Sequence, residues 1–230
     1  MPQRRQQPAG CLALLLFAGF LLLPFILADV MLAALDQLGL TRAQSLYVAM
    51  GIFIGGLVNI PVWRIRRDQP VEQRPPVMFG LPNYLPERPQ ERRMYTIIAV
   101  NLGGCVIPVL VAVYELSRLA QRSTTMLLLG LGAVALNVVV CYLIARPQEE
   151  VGITMPALVP AVVAALSAVL LVPDMAPPVA FAAGVLGPLV GADFFHLNDL
   201  GDVKTGVASI GGAGTFDGIV LSGLVATLLA

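Results

Sequence analysis

Charge is what this chain most conspicuously lacks. Only 12% of its 230 residues are charged, 14 basic against 14 acidic, while 57% are hydrophobic and mean hydropathy is +0.83. That balance lies outside the range of soluble domains, and a net charge of zero gives no reason to expect nucleic acid as a partner. Histidine occurs once, His196, and the three cysteines, Cys11, Cys105 and Cys141, stand in apolar runs without CxxC or Cys/His spacing. A disulfide framework and a zinc site are therefore not expected, no metal or cofactor is implied, and the cysteines read as small buried apolar residues. "PAGC", ending at Cys11, precedes an apolar run instead of following one, which argues against a lipoprotein box.

What the chain does have is long apolar runs, several near the ~18–20 residues that span a bilayer as a helix. Hydropathy gives seven candidate spans, at about 9–35, 45–65, 94–114, 124–145, 154–172, 178–197 and 208–230. The expectation is an all-α, polytopic membrane helix bundle forming a single domain over 1–230. The basic start "MPQRRQQP" with the long run behind it reads as a retained signal anchor. The one sizeable link, 66–93, is rich in Arg and Pro and cannot form a core of its own.

Basic residues set the orientation. With seven spans, the N-terminus and links two, four and six share a side that holds Arg4, Arg5, Arg64, Arg66, Arg67, Arg74, Arg88, Arg92, Arg93, Arg146 and Lys204; the other side holds Arg42, Arg118 and Arg122. By the positive-inside rule the N-terminus is cytoplasmic, and a multi-pass protein of a prokaryotic plasma (inner) membrane, with membrane lipid as its first partner, is the simplest expectation.

Against that background the acids of the last quarter stand out. Asp199 and Asp202 fall in a cytoplasmic link, whereas Asp193 and Asp217 fall inside spans six and seven. Intramembrane carboxylates face a partner or a cavity, and antiparallel neighbours joined by a short link put these two at comparable depth. Two carboxylates in a partly dry site share a proton, the arrangement that activates water in aspartic proteases. The alternative is that Asp193 is wetted at the membrane edge and Asp217 caps a helix or pairs locally, for example with Lys204. If Asp217 capped span seven, only ~20 Å of helix would remain. The helix therefore either runs through Asp217 or breaks at "GGAGT" in mid-membrane, and both place Asp217 inside.

Other polar or small residues carry two readings each. Gly211, Gly212, Gly214 and Gly218 either seal a helix seam or expose backbone to an extended substrate or ion. Asn59, Asn101 and Asn137, placed in spans two, three and four, are interhelical hydrogen-bonding glue or the lining of a substrate path. Pro156 and Pro160 keep the start of span five from being an ideal helix. Glu149 and Glu150 are solvated link charges, and His196 is a residue of the membrane edge.

"GGLVNIPV", "VNLGGCVIP", "ARPQEEVGITMPALVP", "GADFFHL" and "SIGGAGTFDGI" together resemble a prokaryotic membrane family catalogued as domain of unknown function 1614, from about span two to the C-terminus. More weakly, the chain resembles the intramembrane aspartyl proteases of the presenilin, signal peptide peptidase and prepilin peptidase kind. That resemblance implies catalytic aspartates at Asp193 and Asp217, with Pro156, Ala157 and Leu158 as a Pro-Ala-Leu element at the site. The chain departs from the pattern in having Gly212-Ala213-Gly214-Thr215-Phe216-Asp217 in place of Gly-x-Gly-Asp, and in placing Pro-Ala-Leu before both aspartates.

Three functions follow as expectations. The first is an intramembrane aspartyl protease-like hydrolase, with Asp193 and Asp217 holding water. Gly212, Gly214, Gly218, Pro156, Ala157, Leu158, Asn59 and Asn101 would then bind a transmembrane peptide. The second is a small transporter or channel with the same acids as a proton or cation site. The third is a non-enzymatic scaffold whose basic loop 66–93 meets anionic lipid or a soluble partner. Oligomeric state is left open by the sequence.

Overall fold

Helices account for most of the chain, but they are shorter and more often interrupted than hydropathy suggests, and strands fill part of the difference. The structure, a computed structural model, describes residues 17, 25–71, 93–148, 152–156, 158–197 and 207–230. Most of the first expected span, the middle of the basic loop, Glu149, Glu150, Ala157, Asp199, Asp202 and Lys204 lie outside the described residues.

The described chain begins with α1 (25–37) and α2 (Arg42–Gly55). A capping box starts α2: the Thr41 hydroxyl accepts from the Gln44 amide at 3.4 Å, and the Gln44 side chain accepts from the Thr41 amide at 2.8 Å. Strand β1 (Asn59–Val71) then pairs antiparallel with β2 (Arg93–Asn101), from Asn59 opposite Asn101 to Arg66 opposite Tyr95. The register slips at Pro61, whose ring nitrogen has no proton for the ladder. A single π-turn, Leu102–Val106, leads into α3 (Ile107–Arg122), followed by α4 (Thr124–Ile144). A two-strand ribbon, β3 (Arg146–Gln148) with β4 (Gly152–Thr154), precedes α5 (Leu158–Leu171). Then come α6 (Ala176–Leu186), its π-wound extension Gly187–Phe194, strand β5 (Val207–Ile210) and α7 (Gly218–Leu229). Strand β5 runs parallel to β2, giving the order β1-β2-β5.

The expected all-α fold is thus corrected to a mostly helical one with a small sheet. Among the described residues three stretches are long and apolar enough to cross a membrane: Leu102–Arg122, Thr124–Ile144 and Pro173–Phe194. Spans two and three are corrected at their facing ends, where residues 59–65 and 94–101 are extended. Their β-branched content (Ile60, Val62, Ile65; Ile97, Ile98, Val100) suits a strand better than a helix. Span five begins as β4, and α5 and α7 are shorter apolar helices. Span six, short and carrying an acid, belongs to one of these three long stretches.

Helix α6 is the axle of the bundle. Its residues Ala176 and Pro178 to Val185 are all buried, with α3, α4, α5 and α7 around it. A helix that is apolar all round and rich in alanine fits such a place. Gly184 and Gly223 allow the α6–α7 crossing: a Cβ on Gly184 would stand 2.7 Å from the Ser222 carbonyl oxygen, and one on Gly223 2.6 Å from Val185. By contrast, α4 turns Leu128, Leu131, Leu136, Val139 and Leu143 outward.

Chain order puts both sheets at one end, since α2, α4 and α6 finish there and α3, α5 and α7 begin there. At the other end Arg118 closes the bundle, donating to the Leu38 carbonyl and to buried Glu115 at 2.7 Å. Gly39 there takes the left-handed φ of 75° that ends α1.

Candidate active site

The sheet end contains a cavity of ≈ 550 Å³, within the size range of small-ligand and peptide sites. Asp193 and Asp217 both line it, and each is half-buried. Among the described residues no Lys, Arg or His lines the cavity.

Asp217 is positioned by backbone. It is the N-cap of α7, in extended conformation, and its Oδ1 accepts from the Ile219 amide at 3.0 Å. Its Oδ2 accepts from the Ala213 amide at 3.3 Å. The intervening turn is possible because Gly211 and Gly214 take φ of 71° and 59°, a region that side chains disfavour. The capping alternative, which helix length argued against, is thus the one found for Asp217, and it comes with a break in the chain at the glycines. The twelve residues of α7 extend only ~18 Å.

That glycine turn is held by two others. A Cβ on Gly104 would lie 2.0 Å from the Gly211 carbonyl oxygen, one on Gly103 would lie 2.3 Å from the Gly56 nitrogen, and Gly214 faces Gly56 at 3.1 Å. Asn101, fully buried, ties the junction: its Nδ2 donates to the Gly56 carbonyl at 2.8 Å and to Asn59 Oδ1 at 3.1 Å, and its Oδ1 accepts from the Gly104 amide at 2.7 Å. Ser209 on β5 donates to Asn59 Oδ1 at 2.5 Å. The motifs "GGLVN", "NLGGC" and "IGGAGTFD" therefore meet at one point, directly behind Asp217.

Asp193 is positioned by an irregular helix. Pro188 has no N–H to give the Gly184 carbonyl, and from Gly187 onward the helix winds in π-fashion. The consequence is rotational. Gly184 marks the face of α6 that meets α7. In a regular α-helix, nine steps of ~100° would turn Asp193 about 180° from that face; six steps at roughly 80° take back on the order of 120°. Both acids lie on the sheet side of the Gly184–Ser222 contact, Asp193 nine residues beyond Gly184 and Asp217 five before Ser222.

Not every expected site residue reaches the cavity. Gly212 and Gly218 line it, with Met155 Cε 3.4 Å from where a Gly218 Cβ would be. Gly214 faces Gly56 instead, and Asn59 and Asn101 stand behind the wall. Pro156 and Leu158 are exposed and outside the lining, to which this segment contributes Ile153, Thr154 and Met155. Asn137 donates to the Ala183 carbonyl at 2.8 Å, as interhelical glue. His196 bonds the Ala192 carbonyl at 2.9 Å and lies against Tyr142, ring centroids 5.0 Å apart. Sequence reasoning missed strand β5, whose four residues all line the cavity, and Pro188, which also lines it. The Gly187-Pro188 pair inside an apolar run was the available signal for the second.

Comparison with known proteins adds a family and no activity. A family model described as a protein of unknown function (DUF1614) matches residues 53–229. No curated protein and no solved structure matches the chain.

Proposed function

The chain belongs to the DUF1614 family, and from the site itself we propose that it is an intramembrane aspartyl protease-like hydrolase. One observation carries the reading: Asp193 and Asp217, from separate segments, face a single cavity that runs along the outer edge of a strand. All four residues of β5, 207–210, line that cavity, on alternating sides of the strand, so it follows the backbone edge of β5, and 211–213 of the following turn extend the wall. Ile153 and Thr154 of β4 line it too. Exposed strand edges bind extended peptide by adding a strand, and the mostly apolar wall suits a segment drawn from a membrane.

In this reading a water lies between the carboxyl groups. The unprotonated one takes a proton from the water as it attacks the peptide carbonyl, and the protonated one donates to the carbonyl oxygen. Collapse of the tetrahedral intermediate sends a proton to the departing amine. The backbone amides on Asp217 hold its carboxylate in place.

The setting proposed is a plasma membrane crossed several times, N-terminus and sheet end on the cytoplasmic side. The basic links support this, since those after α2, α4 and α6 fall at the sheet end. The test is cleavage of membrane-embedded peptides by the purified protein in liposomes. Asp193→Asn and Asp217→Asn are each expected to lower it by about 10²-fold or more, and unchanged cleavage in either variant would sink the reading.

A second reading has one observation in its favour: α7 begins in the bundle at a carboxylate, as broken helices do in transporters. Proton or cation flux through the same liposomes, lost on Asp217→Asn without any cleavage, would decide for it.

A further inference from the structure

We infer that Asn137 on α4 is a positioning residue, which holds residues 187–194 in their π-winding and thereby aims Asp193 at Asp217. The inference rests on the two-carboxylate reading of the site and goes beyond it by naming what sets the geometry.

Asn137 does not touch the cavity. It is fully buried, and its Nδ2 donates to the Ala183 carbonyl at 2.8 Å, on the last regular turn before the wide winding begins. That carbonyl also accepts from the Gly187 amide, so Asn137 is its second partner. The amide group occupies the space of a side chain at residue 187, where a Cβ would lie 2.4 Å from Nδ2. One turn further on, Gly191 lies against α4, its Cβ position 2.2 Å from the Val138 carbonyl oxygen and 2.9 Å from Cys141 Cβ. These contacts fix the start and the middle of the wide winding against a straight helix.

Reversion to α-winding would need the Gly184 carbonyl to find an i+4 donor, which Pro188 denies it. It would also turn Asp193 by on the order of 120° away from α7. Asn137 and Pro188 therefore act on the same element from two sides, one by supplying a donor and one by withholding it. Neither role requires contact with substrate.

The experiment measures proximity and is independent of cleavage. In the full chain with Cys11→Ser, Cys105→Ala and Cys141→Ala, the pair Asp193→Cys and Asp217→Cys is treated with a short bis-methanethiosulfonate reagent. A control pair, Phe181→Cys with Leu224→Cys, reports the α6–α7 contact below the wide turn, where both side chains belong to one buried cluster. Asn137→Leu is expected to slow cross-linking of the first pair by roughly tenfold or more and to leave the control pair unchanged. Pro188→Ala, on the opposite helix, is expected to do the same and guards against an Asn137 variant that fails to fold. Parent-like cross-linking of the first pair in either folded variant overturns the inference, as does a parent pair that does not cross-link. If cross-linking depends on Asn137 while the native protein cleaves nothing, the hydrolase reading falls and the positioning role stands.

Discussion

Asn101 and the glycines around it illustrate how little of this site is made by the residues that face it. Replacing Asn101 with Leu leaves the Gly104 amide and the Gly56 carbonyl without their side-chain partner, each worth ~1–3 kcal/mol when buried. Asn101→Leu is therefore expected to lower stability by on the order of 2–4 kcal/mol, read as a fall in the unfolding midpoint in detergent. Gly104→Ala places a carbon 2.0 Å from the Gly211 carbonyl oxygen, and this backbone cannot yield as a flexible side chain would. A loss of ~1–3 kcal/mol is expected, together with displacement of the turn that carries Asp217. A Gly104→Ala protein as stable as the native one would contradict the close approach. At this scale the sequence was informative about which residues matter and less so about how. Asn59 and Asn101 were legible as polar groups in apolar surroundings, but their three motifs meet through backbone contacts that no spacing reveals.

At the scale of elements, hydropathy registered apolar runs without distinguishing helix from strand. Residues 59–65 and 96–100 are as apolar as a span and rich in β-branched residues, and they pair as strands at the end of the bundle. The break before α7 was only one of two arrangements left open by the sequence, because the glycines permit a turn but the short length beyond Asp217 argued against a helix capped there. The π-winding of residues 187–194 was not legible, since it depends on Pro188 within the helix and Asn137 from a helix fifty residues earlier. The opposite end of α3 yields its own prediction. Arg118 pairs with fully buried Glu115, whose other oxygen has no hydrogen-bond partner among the described residues. Arg118→Met leaves that carboxylate alone and is expected to cost ~3–5 kcal/mol, whereas Glu115→Leu combined with Arg118→Met removes both charges and is expected to be far milder. Urea or SDS titration of the two variants checks the order, and a double variant less stable than the single one would contradict it.

For the whole molecule, the main consequence of the topology is that all five described strands fall at the end that holds the two carboxylates. Apart from Arg4 and Arg5, the basic residues expected on the cytoplasmic side fall in sequence between α2 and α3, α4 and α5, or α6 and α7. A single cysteine at Arg88→Cys is thus expected to react with an impermeant thiol reagent only from the cytoplasmic side; labelling from outside would invert the orientation. The central claim is narrower: Asp193 and Asp217 act together on a tetrahedral carbon. Its most direct measurement is the binding of a membrane peptide in which one amide is replaced by a hydroxyethylene isostere. The account predicts binding about 10²-fold tighter than that of the parent amide peptide, with the excess lost equally in Asp193→Asn and Asp217→Asn. An isostere that binds no tighter than the amide, or that keeps its advantage in either variant, would contradict it.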